Sequence, residues 1–168
     1  KSLDKREMKA GLAEVIKYGV IRDPNLFKYL EDNIDLLTRN SKLGSRNQVL
    51  LHIVKRSCAI KAAVVEADER EAGLRAILNF GHTFGHAVEA LTKYKEYKHG
   101  EAVAIGMVYA SELSHRAGVC NKSVVERVRN VIKKAGLPTE GPDFPRKSFL
   151  KAMEIDKKVV GGELRFVL

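Results

Sequence analysis

The segment Asn79-Phe80-Gly81-His82-Thr83-Phe84-Gly85-His86 repeats Phe-Gly-His at a spacing of four residues. On a helix that spacing places both imidazoles on one face, where their nitrogens could share a metal ion or pass a proton. Glycine costs a helix about 1 kcal/mol relative to alanine, so Gly81 and Gly85 in a helix interior call for close approach by another backbone or a ligand. Tight helix packing with satisfied histidines is the plainer alternative; two histidines beside two costly glycines favour a site. A zinc protease would need His-Glu-x-x-His with the glutamate as general base, and Thr83 stands where that glutamate would be. His99, thirteen residues after His86, offers a third nitrogen if neighbouring helices present side chains across a seam, although it also reads as an ordinary helix-start residue. Glu14, between Ala13 and Val15 and three residues before Lys17, could add a carboxylate, and a Glu and Lys pair on a solvated face explains it as well. Lys61, Arg75 and the doublet Lys157-Lys158 are cations of the kind that grip carboxylate or phosphate, yet each taken singly reads as surface charge. His52 and His115 lack such company and are assigned to surface or packing.

Helices must position these groups, because the apolar pattern is helical almost throughout. One helix is expected from Asp4 to about Arg22, stopped by Asp23-Pro24, and a second is marked by Leu26, Leu30, Ile34 and Leu37. A long third, from about Arg46 to Ala67, would carry Leu50, Val54, Cys58 and Ala62 as its apolar stripe. A fourth should run unbroken from about Ala76 to Thr92 and hold both Phe-Gly-His copies. The fifth, from about Gly100 to Ala117, is apolar nearly all round over Ala102 to Ala110, so it reads as the central buried helix. A sixth from about Lys122 to Ala135 closes on Gly136-Leu137-Pro138, and a short one follows near Arg146 to Met153. Lys158 to Leu168 reads as a β-hairpin.

A chain of 168 residues makes one domain or two small ones, and can bury roughly 70% of the surface its unfolded form exposes. No apolar run reaches the roughly 18 residues of a membrane-spanning helix. Two cysteines, Cys58 and Cys120, make neither a disulfide framework nor a Cys-x-x-Cys zinc site, which fits a reducing compartment and thiols used for packing. The net charge of +9 implies an anionic ligand or partner, or a basic solvated face. A nucleic-acid-binding domain is disfavoured because no basic run is interleaved with aromatics. A structural zinc module is disfavoured because such sites close four ligands and are rich in cysteine. The chain opens on Lys1-Ser2-Leu3-Asp4, and one helical domain over residues 1–168, truncated at both ends, is expected.

Taken in order, Ala13-Glu14-Val15-Ile16-Lys17-Tyr18-Gly19, Lys61 with Glu66-Ala67-Asp68-Glu69-Arg70-Glu71, Arg75 through His86, and His99-Gly100-Glu101-Ala102-Val103-Ala104-Ile105-Gly106-Met107 resemble 3-dehydroquinate synthase. The resemblance runs from Lys9 to Leu168 and implies the all-α, multi-helix C-terminal domain of a two-domain enzyme. That enzyme's NAD-binding α/β domain is absent, and no Gly-x-Gly-x-x-Gly occurs here, so the chain alone should neither hold NAD nor turn over.

The resemblance implies that Glu14, His82 and His99 ligate a divalent metal, zinc or else cobalt, and that His86 is a non-ligand histidine that shuttles a proton. It implies that Lys61 and Arg75 grip the substrate carboxylate, that Lys17 approaches ring hydroxyls, and that Asn79 and Lys157 lie near the phosphate, with Lys158 as the alternative lysine. The implied reaction converts 3-deoxy-arabino-heptulosonate 7-phosphate to 3-dehydroquinate and phosphate in the shikimate pathway, with NAD reduced and reoxidised in one turnover. A homodimer in the cytoplasm, or in a plastid for a plant, is implied as well. Another sugar-phosphate cyclase on the same scaffold is the nearest alternative. Metal-dependent alcohol dehydrogenases carry a His where this chain has Tyr18.

Overall fold

A computed structural model describes residues 4–38, 43–70, 73–156 and 166–168. Its elements are α1 (Lys5–Ile21), α2 (Pro24–Asn33), α3 (Asp35–Thr38), α4 (Leu43–Ala67), a 3₁₀ helix (Leu74–Asn79), α5 (His82–Leu91), α6 (His99–Arg116), α7 (Lys122–Lys134) and α8 (Arg146–Asp156). The described residues contain no strand. Of the expected hairpin, residues 157–165 lie outside the described residues, and Phe166, Val167 and Leu168 belong to no regular element.

The fully apolar stretch of α6 makes it the centre. Ala102, Val103, Ala104, Ile105 and Met107 are inaccessible to solvent, and α5, α1 and α7 pack around the helix that carries them. Burying a side chain such as Ile105 contributes about 1.5–3 kcal/mol. α8 packs against α5, where Phe149 and Phe166 lie nearly parallel to Phe84 with ring centres 6.4 and 5.3 Å away.

Local signals set most boundaries. Asp23 ends the first helical run and caps α2, its Oδ1 accepting from the backbone N–H of Leu26 at 3.0 Å and of Asn25 at 3.1 Å, with Pro24 in the first turn where its missing N–H is harmless. Gly136, at φ +70°, closes α7, and Leu137 N–H returns to the Ile132 carbonyl, the Schellman pattern.

Two expectations fail for physical reasons. The helix expected over Ala76 to Thr92 is split: the 3₁₀ helix ends at Asn79, and Gly81 adopts the left-handed conformation (φ +79°) as the residue before α5. On α4 the buried stripe is Val49, Ile53, Ile60 and Val64, whereas Val54 is 53% exposed and Cys58 and Ala62 face solvent. The helix is apolar on two sides, and periodicity alone cannot say which side meets the core.

Candidate active site

α1 supplies the first pair. Three residues apart on one face, Lys17 donates from Nζ to Glu14 Oε2 at 2.7 Å. The Lys17 side chain is almost wholly buried. Burial pushes its pKa down and outweighs the hydrogen bond and charge of Glu14, which act the other way.

His82 opens α5. The left-handed turn at Gly81 leaves the Phe80 carbonyl 3.3 Å from His82 Nδ1, so that nitrogen carries the proton and Nε2 keeps its lone pair. Nε2 lies 3.7 Å from Glu14 Oε1. Burial, reinforced by the positive charge of Lys17, pushes the His82 pKa down to about 4, so at neutral pH the ring is the uncharged form that ligates metal.

His99 opens α6 one helix away, its Nδ1 3.3 Å from both carboxylate oxygens of Glu89. Ring centres are 5.4 Å apart for His82 and His99, 5.5 Å for His82 and His86, and 5.8 Å for His86 and His99. Glu14, His82 and His99 each offer a ligand atom, all within 4.8 Å of one another. Glu14 Oε1 is buried and accepts no hydrogen bond, a state that costs stability unless a cation or donor meets it. Two imidazoles and a carboxylate are the donor set of an open catalytic zinc site, so these residues fit a divalent metal.

Close backbone contact holds this corner together. A Cβ at Gly100 would fall inside the van der Waals envelope of the Ala10 carbonyl on α1, and one at Gly106 inside that of the Gly81 carbonyl. Arg6 adds a fork to Glu101 (2.7 and 2.6 Å), whose Oε2 also accepts from the Lys98 N–H at 2.8 Å. On the preceding side Lys98 Nζ donates to Glu7 Oε1 at 2.5 Å, so His99 is tied to α1 on both sides.

Beside the corner opens a cleft of about 420 Å³ lined by Glu14, Lys17, Tyr18, Lys61, Arg75, Asn79 and His82, among others. Lys61 comes from α4. Arg75 and Asn79 come from the 3₁₀ helix, whose entry is built by Asp68: its Oδ2 accepts from the N–H of Gly73 at 2.9 Å and of Arg75 at 2.8 Å. Every candidate site residue named from the sequence thus lies at the corner or in the cleft, except Lys157 and its alternative Lys158, which are outside the described residues. The cleft is rich in cations and in shape suits a small anionic molecule.

Sequence reasoning misses Glu89, Asp68 and the Phe80 carbonyl. Glu89 has a readable signal, an acid in the apolar run Ala87 to Leu91 three residues after His86; a backbone carbonyl has none. His115 meets the Cys120 carbonyl at 3.0 Å and His52 lies against Tyr29, both outside the cleft, as expected. Cys58 is exposed rather than packed.

A family model described as 3-dehydroquinate synthase C-terminal matches residues 11–159. The chain belongs to this family. It is 50% identical over 167 residues to 3-dehydroquinate synthase of Nitrosospira multiformis, covering 99% of this chain and 44% of that protein. Against 3-dehydroquinate synthase of Caldanaerobacter subterraneus subsp. tengcongensis the identity is 52% over 167 residues, with 99% and 46% covered. The chain thus spans slightly under half the length of these relatives. Among solved structures it is similar to 2-epi-5-epi-valiolone synthase from Streptomyces hygroscopicus subsp. jinggangensis with NAD+ and Zn2+ bound (TM-score 0.77, 30% identity, 90% of this chain and 41% of that one). It is similar also to 2-deoxy-scyllo-inosose synthase complexed with carbaglucose-6-phosphate, NAD+ and Co2+ (TM-score 0.76, 26% identity, 95% and 42%). The all-α C-terminal assignment to the 3-dehydroquinate synthase family therefore stands, and no helix of the described residues is long and apolar enough to cross a membrane.

Proposed function

We propose that this chain is the metal- and substrate-binding half of a 3-dehydroquinate synthase, which forms 3-dehydroquinate and phosphate from 3-deoxy-arabino-heptulosonate 7-phosphate with transient use of NAD. The observation that carries the reading is the orphaned Glu14 Oε1 beside His82 and His99, at the edge of a cleft into which Lys17, Lys61 and Arg75 converge. The two solved structures support a divalent metal and NAD as cofactors, since both hold them.

Glu14, His82 and His99 would hold the metal, which would supply Lewis acidity toward a substrate oxygen. Lys61 and Arg75 bind the substrate carboxylate, Arg75 by its planar fork and Lys61 as a point charge. Lys17 donates to ring hydroxyls from the cleft wall while Glu14 orients its ammonium. His86, a turn along α5 from His82, takes and returns a proton. Asn79 and Lys157 meet the phosphate end. The sequence contains no Gly-x-Gly-x-x-Gly loop, and the dinucleotide is held by the part of the enzyme that this chain does not span.

A sibling cyclase whose substrate lacks a carboxylate would have no use for Lys61 and Arg75 together, and the roughly half-identical relatives are 3-dehydroquinate synthases. Elemental mass spectrometry tests the reading. About one divalent ion per chain is expected, lost in His82→Ala and kept in His115→Ala. His86→Ala should keep the ion while the full-length enzyme loses phosphate release. Metal retained by His82→Ala would remove the assignment.

A further inference from the structure

Glu89 has no part in the ligand set or the substrate grip, yet it is one of the few acids the fold buries, at 8% exposure. It lies on α5 among Ala87, Val88, Ala90 and Leu91, an apolar setting in which a carboxylate costs stability unless donors meet it. Both of its oxygens lie 3.3 Å from Nδ1 of His99 across the α5 and α6 seam. His86, Glu89 and His99 also offer atoms within 4.8 Å of one another, so the carboxylate stands behind two of the three clustered imidazoles.

We infer that Glu89 is a positioning residue for the metal centre: it accepts the Nδ1 proton of His99, fixes the ring's tautomer and rotation, and leaves the Nε2 lone pair for the ion. The inference rests on the reading that Glu14, His82 and His99 are the ligands. Two features give His99 need of such a support. Its side chain is half exposed, and it stands in the first turn of α6, where the helix offers its ring no preceding turn to lean on. His82 has its own orienter in the Phe80 carbonyl, so each ligating imidazole receives one acceptor on Nδ1. The two acceptors differ in kind. A carboxylate, unlike a carbonyl, carries a full charge that raises the basicity of the ring it orients, and removing such a partner lowers metal affinity by about 10- to 100-fold.

Glu89 is a support rather than a ligand because both of its oxygens already face the His99 N–H, while Glu14 Oε1 is the buried oxygen left without a partner.

The test titrates cobalt(II) alone into the full chain and records affinity and the visible absorption spectrum. Glu89→Ala should weaken cobalt binding by about 10- to 100-fold and alter the spectrum. Glu89→Gln, which keeps an acceptor oxygen but loses the charge, should recover part of the affinity and remain folded by circular dichroism even if the alanine variant does not. Wild-type affinity and spectrum in Glu89→Gln, with binding abolished in His82→Ala, would overturn the positioning role and leave the ligand set standing. Wild-type binding in His82→Ala as well would bring down the ligand set itself. Complete loss of binding in folded Glu89→Gln, equal to that of His82→Ala, would make Glu89 a ligand and overturn the inference in the other direction.

Discussion

The corner that gathers Glu14, His82 and His99 is built backbone against backbone, whereas Lys61 and Arg75 reach the same cleft from elements held by side chains. In the corner, glycines at 100 and 106 let α6 touch the carbonyls of Ala10 and Gly81. On the other side α4 lies with one apolar face on the core and another in solvent, and Arg75 rides a 3₁₀ helix anchored by the Asp68 carboxylate. Ligand atoms must sit within about 0.5 Å of a working geometry, and backbone contacts have no rotamers through which to drift. Long cationic side chains that grip an anion tolerate looser mounting, because their own torsions complete the fit.

The contrast can be broken most forcefully at Gly100. A methyl group there collides with the Ala10 backbone, so Gly100→Ala is expected to cost about 3 kcal/mol or more in urea denaturation and to lose stoichiometric metal. Full stability with metal retained would show that the corner is not set by that contact. Next in size, Arg75→Ala should leave the metal in place, raise KM and lower kcat/KM by about 10- to 100-fold in the full-length enzyme; an unchanged kcat/KM would sink its role in the grip.

Asp23 offers a smaller effect, at the junction of α1 and α2 where it also holds Arg56 of α4. Burial works to raise its carboxyl, but Arg56 and the N–H groups of Leu26 and Asn25 together hold the pKa below its ordinary value. Its contribution is therefore complete above the ordinary carboxylate range and is lost as pH falls through the depressed value. Asp23→Ala should cost about 1 kcal/mol near neutral pH, and the gap to wild type should close in acid; a gap that does not change with pH would refute the linkage. Smallest of all, a Cβ added at Gly11 on α1 would meet no atom within 4 Å. Gly11→Ala should stabilise by about 0.5–1 kcal/mol, one residue from the position where α6 tolerates nothing. Loss of stability there would extend the tight corner along α1.

Part of this arrangement is legible in the sequence. Glu14 and Lys17 share a face because three residues nearly complete a helical turn, and α6 announces its burial through an apolar run that no surface helix could carry. The Phe-Gly-His repeat is legible by half: His82 and His86 are on one helix, but Gly81 lies before it in a conformation that periodicity cannot reveal. The direction of α4 is illegible for a related reason, since Val54 and Ile53 are equally apolar and only tertiary contact decides which one is buried. Glu89 is visible as an acid in an apolar run, but its partner on α6 is not, because a pairing between helices has no trace in local spacing.

Glu14 and Lys17 also share a rigid mounting. One turn of helix, with a rise of about 4.5 Å over three residues, joins the acid beside the imidazoles to the amine on the cleft wall. α1 is thus one ruler, and the offset between these two groups is fixed by helical geometry alone. Lys61 and Arg75 stand on α4 and the 3₁₀ helix, so their distance from that ruler is set by packing between elements rather than by helical geometry.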